Sequence, residues 1–160
     1  MSVRWLAWVV MVAGVVVACD EGDGSSEPAE PAGSAFPNGN PAEADGYALG
    51  LSREGAAGAL TVRFKDALPA PPDIGDNAWQ IEVLSGDAPM TGCSIDVQPR
   101  MPAHGHGTSV QAEVEPMADV PGSYRVAPVN MFMPGLWEVT LGLTCGRVDD
   151  VVVFRFWIES

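Results

Sequence analysis

Trp137-Glu138-Val139-Thr140-Leu141-Gly142-Leu143-Thr144-Cys145, followed after Gly146-Arg147 by Val148 to Ile158, carries the clearest pattern in the chain. Trp137, Val139, Leu141, Leu143 and Cys145 alternate with Glu138, Thr140 and Gly142, the period of a strand with one face inward and one in water. Val148 to Ile158 is long, β-branched and aromatic, which is strand composition. The same alternation recurs upstream. It picks out Tyr47, Leu49 and Leu51; Leu60, Val62 and Phe64; Trp79, Ile81 and Val83; Cys93, Ile95 and Val97; Val110, Ala112 and Val114; and Tyr124 with Val126. Turn residues separate the runs, with 18 Gly and 14 Pro in 160 residues, and no stretch shows helical spacing. These features predict an all-β domain over residues 47–160: an immunoglobulin-like antiparallel β-sandwich of seven to eight strands.

The segment before it is of a different kind. Residues 1–18 hold one positive charge, Arg4, and an apolar run from Trp5 to Val17 that ends in Val16-Val17-Ala18-Cys19. The run is short for a permanent membrane span and fits a signal-peptide core. Its end resembles a bacterial lipobox, which makes residues 1–18 a lipoprotein signal peptide and Cys19 the lipidated first residue of the mature chain. Several acyl chains on one residue anchor a protein firmly. The expected location is the bacterial cell envelope, extracytoplasmic and lipid-anchored, on the periplasmic side of the inner or outer membrane. Residues 19–46 hold seven acids, no base and one aromatic, so they read as an acidic disordered tether.

Charge and motif content narrow the function. The chain carries 21 acidic and 8 basic residues, a net charge of −13, and lacks the basic footprint that a nucleic-acid partner needs. The two histidines lie two residues apart in a Gly-flanked loop. There is no nucleophile elbow, phosphate loop or dinucleotide fingerprint, so no enzyme is expected. With Cys19 taken by lipid, Cys93 and Cys145 remain as an even pair in an oxidising compartment. Both fall on the apolar phase of their strands, which suggests a core disulfide between the two sheets; the rival is a thiolate copper site.

The chemistry-bearing stretch is Arg100-Met101-Pro102-Ala103-His104-Gly105-His106-Gly107. Pro102 favours an extended Met101, and the glycines allow both imidazoles to turn to a common point. Imidazole and thioether both suit copper, and thioether favours Cu(I). Asn130-Met131-Phe132-Met133 precedes Pro134-Gly135, a turn signal. If the two loops meet at one end of the sandwich, His104, His106, Met101 and Met133, with Met131 as a further donor, form a mixed nitrogen–sulfur site. The alternative is that the methionines fill the core and the loop is only a turn. The protein is then a non-catalytic interaction or structural module without metal.

Pro71 to Ile158 resembles the YtkA-like family, related to FixH-like proteins and more loosely to CopC-like copper carriers. The resemblance rests on Pro71-Pro72-Asp73-Ile74-Gly75-Asp76-Asn77, Met101-Pro102-x-His104-Gly105-His106, Gly122-Ser123-Tyr124 and Met133-Pro134-Gly135-x-Trp137. It implies an extracytoplasmic immunoglobulin-like domain associated with copper, and a partner in copper handling or cytochrome-oxidase assembly. Two features depart from these relatives. An acylated Cys19 leaves no free N-terminal histidine of the CopC type, and a lipid takes the place of the FixH-type transmembrane anchor.

Overall fold

The computed structural model describes residues 36–160; the expected signal peptide, Cys19 and the expected tether as far as residue 35 lie outside the described residues. Ten strands are present among the described residues: β1 (Ser52–Glu54), β2 (Thr61–Leu68), β3 (Gly75–Ser85), β4 (Ala88–Pro89), β5 (Cys93–Met101), β6 (His106–Gly107), β7 (Glu113–Pro116), β8 (Ser123–Met131), β9 (Gly135–Cys145) and β10 (Val148–Ile158). Seven of them are four residues or longer, which is the strand set of an immunoglobulin-like sandwich; β1, β4 and β6 are short additions at edges and hairpins.

All pairings are antiparallel. One sheet runs β1-β2-β3-β8-β7 with β4 added to β3, and the other runs β10-β9-β5-β6. Counted over the seven longer strands, the first sheet joins first, second, fifth and fourth, and the second sheet joins seventh, sixth and third. That is the constant-type immunoglobulin arrangement. Each sheet turns its apolar row inward. Val62, Phe64, Trp79 and Ile81 of one sheet meet Val97, Val139, Leu141, Phe154 and Phe156 of the other in a single core. Phe64 lies edge-on to Trp79 and Phe154, with ring centroids 5.0 and 4.9 Å apart, a favoured geometry for aromatic pairs.

The structure corrects the sequence-based expectations at four places. Residues 47–51 form a turn, not a strand, although Tyr47 and Leu51 still pack on the core; Leu49 stands 70% exposed. The strand expected from Val110 starts only at Glu113, because residues 108–112 cross from the edge of one sheet to the edge of the other. Cys93 and Cys145 are joined, which removes the thiolate copper site. Their bridge lies within one sheet: the two residues are directly opposed on neighbouring strands β5 and β9, with Cα atoms 4.2 Å apart. Alternation had given the face on which each cysteine lies, but not its neighbour.

The fourth correction concerns residues 36–46, assigned by composition to the tether. They form a strap packed on the second sheet. Asn40 accepts the Ala42 N–H and opens a 3-10 turn, Pro41–Glu43. Asp45 then clasps β10: its backbone N–H donates to the Arg155 carbonyl at 2.7 Å, its carboxylate accepts the Arg155 N–H at 2.8 Å, and it also pairs with Arg53.

Candidate functional site

Met101 to Gly107 is a hairpin that closes β5 onto β6. Met101 is extended, as the following proline requires, and pairs with His106, while Arg100 pairs with Gly107. Between them Pro102–His104 makes a 3-10 turn. Gly105 has φ +68°, the left-handed conformation that glycine adopts without steric cost, and its N–H closes onto the Met101 carbonyl at 3.0 Å. The histidines therefore do not share a face along an extended strand. The left-handed turn between them brings their rings together instead, with centroids 5.6 Å apart and planes at 83°. Both rings are exposed.

Three contacts hold this hairpin. His106 stacks on Phe132 at 5.9 Å with an interplanar angle of 20°, and Phe132 lies edge-on to Trp137 at 5.5 Å. Thr108 donates to Asn130, which donates in turn to Asp76, so the exit from the hairpin is tied to β8 and β3. His104 Nε2 lies 3.2 Å from Asn38 Oδ1 on the strap. The turn 132–134 and the histidine hairpin thus do meet at one end of the sandwich.

The methionines are placed less uniformly. Met101 and Met131 are both 0% exposed and belong to the core. Beneath the hairpin, the Met101 methyl packs under Gly135, where a side chain built on residue 135 would come within 2.7 Å of it and 2.6 Å of the Asn38 carbonyl. Gly135 also has φ +130°, so glycine is needed there twice over. Met133 is half-buried against the core, and its carbonyl accepts the Trp137 Nε1–H at 2.8 Å. Of the expected donors, the structure brings His104 and His106 together at the surface, sets Met133 at the margin and withdraws Met101 and Met131 into the interior.

Two residues absent from the expected set touch the histidines: Phe132 and Asn38. Phe132 could have been found, because strand alternation that turns Met131 and Met133 inward turns the residue between them outward. It is 45% exposed. Asn38 gave no signal, since its contact is with a residue 66 positions away.

With metal–nitrogen bonds of ~2.0 Å, two imidazoles can share an ion only if their rings lie beside one another, and the 5.6 Å between centroids meets that condition. Among the described residues no group of three or more His, Cys, Asp or Glu side chains is placed to hold a metal.

A family model described as YtkA-like matches residues 56–142, more than half of the chain, from the turn before β2 to the middle of β9 and including the whole histidine hairpin. No curated protein matches the sequence. Among solved structures, the chain is similar to the crystal structure of a DUF4426 family protein from Pseudomonas aeruginosa PAO1. The identity is 11% and the TM-score 0.47, over 64% of this chain and 92% of that one.

Proposed function

The chain belongs to the YtkA-like family, and we propose that it is a lipid-anchored, extracytoplasmic carrier whose histidine pair takes up Cu(I) and hands it to a partner. The observation that carries this reading is the close approach of two exposed imidazoles on one hairpin, with centroids 5.6 Å apart. Exposure suits transfer, because an acceptor protein can reach the ion without the domain opening. A small donor set binds the cargo without enclosing it. Met133, half-buried in the turn after Phe132, is the one expected thioether that the core does not enclose. Met101 and Met131 contribute by packing, so they are not proposed as ligands. Lipidation at Cys19, inferred from the residues before it, would keep the carrier at the membrane. There, membrane-bound oxidases or their assembly factors are the fitting class of acceptor.

The test is competition for Cu(I) between full-length protein and a chelator of known affinity. The His104→Ala/His106→Ala variant should bind more than about 100-fold more weakly, since loss of ligands exceeds the about 10–100-fold typical of outer contacts. Equal, weak binding by wild type and variant would sink the proposal.

A second reading, a metal-free interaction or structural module, draws on the complete burial of Met101 and Met131. It expects copper to leave the melting temperature and the histidine spectra unchanged, which the same samples measure.

A further inference from the structure

From the placement of the strap, we infer that Asn38 is a positioning residue: its side-chain oxygen holds His104 in the Nε2-protonated tautomer, so that Nδ1 is the nitrogen offered to a soft metal ion. The proposal rests on the copper reading for its affinity arm only. Its tautomer arm concerns the metal-free protein.

Asn38 Oδ1 lies 3.2 Å from His104 Nε2. A carbonyl oxygen only accepts, and a neutral imidazole carries a single N–H, so a hydrogen bond here puts the proton on Nε2 and leaves the Nδ1 lone pair free. Fixing one ring nitrogen through a carbonyl is the general means by which a protein orients a metal-binding histidine and raises its basicity.

Asn38 is itself held firmly. Its backbone carbonyl accepts the Leu136 N–H at 2.8 Å, and its Cβ and carbonyl fill the space above Gly135 that any side chain there would occupy. On one side a turn closes Gly39 N–H onto Phe36 O at 3.0 Å; on the other the strap continues to the double clasp of Asp45 on Arg155. His104 ends a 3-10 turn whose backbone is closed by Gly105. The backbones of both partners are thus held by hydrogen bonds other than the contact itself.

The experiment uses full-length protein labelled with nitrogen-15 at histidine. Because the chain has two histidines, a His106→Gln background leaves His104 as the one ring observed. Long-range proton–nitrogen spectra at a pH of about 8, above the ordinary histidine pKa, report the tautomer directly. His104 should be wholly Nε2-protonated with Asn38 present, become a mixture in Asn38→Ala, and return to the single tautomer in Asn38→Asp, which keeps the acceptor. In the parent protein Cu(I) should shift the Nδ1 resonance of His104, and Asn38→Ala should weaken Cu(I) binding about 10–100-fold. A His104 protonated on Nδ1, as an Asn38 amide turned the other way would require, overturns the inference, and so does a tautomer ratio indifferent to residue 38. If Cu(I) binds neither parent nor variant, the copper function fails while the tautomer result still decides the role of Asn38.

Discussion

Asp150 is 5% exposed, and its carboxylate is turned into the 55–60 turn, where Ala57, Ala59 and Leu60 each donate a backbone N–H at 2.8 to 2.9 Å and Val151 donates a fourth at 2.8 Å. Burial alone would raise its pKa, but the four N–H groups stabilise the charged form more, and the pKa lies below the ordinary carboxylate value. A group whose folded pKa is depressed stabilises the fold above its unfolded pKa, and that contribution is lost as pH falls through the folded value. Asp150→Ala should therefore cost about 3 kcal/mol at neutral pH by leaving buried donors without an acceptor. Asp150→Asn should cost less and show a flatter loss of stability with acid than wild type does. Urea unfolding at several pH values measures both. Trp79 makes a contrasting case: its indole N–H is buried with no hydrogen-bond partner among the described residues, and its place in the core rests on the rings around it.

At the scale of elements, the Cys93–Cys145 bridge fastens β5 to β9 across 52 residues of sequence. On the chain-entropy account a loop of that length contributes about 4 kcal/mol. The Cys93→Ser/Cys145→Ser variant should lose roughly that amount in denaturant titration, with the remaining loss of cross-strand packing small because both residues keep their ladder positions. The strands themselves were legible wherever a run had one face in the core: β2, β3, β5, β9 and β10 all fall where alternation put them. Alternation failed at Val110, where the pattern is present but the chain is crossing between sheets, and at Leu49, where a turn intervenes. It could not say which strand lies beside which, so the bridge between Cys93 and Cys145 was foreseen but placed between the sheets instead of within one. In the candidate site the hairpin and its two imidazoles were visible as a Gly-flanked cluster. Met101 is buried because β5 runs on to it with an inward row of Ile95, Val97, Pro99 and Met101, whereas the alternation had been read only as far as Val97 and Met101 was expected as a donor. The strap was not visible, because an acidic, proline-containing segment gains order here from individual bonds at Asn38 and Asp45, and composition averages over such bonds.

For the whole molecule, the strap is what distinguishes this sandwich from seven strands alone. It joins the ends of β9 and β10 to the histidine hairpin, and Asp45 supplies its main fastening. Asp45→Ala should leave the core intact while residues 36–46 and the Arg155 amide exchange hydrogen markedly faster. Exchange measured by mass spectrometry, with the β3 and β9 peptides as internal references, checks this. An unchanged strap would mean that Asn38 and Leu136 suffice to hold it. Within the strap, Phe36 shares a surface depression with Pro102 and Ala103 of the histidine hairpin. Tension applied to the chain from its N-terminal side is consequently borne first by the strap fastenings at Asn38 and Asp45. Release of these few bonds would free the Asn38 side of the histidine hairpin while leaving both sheets paired.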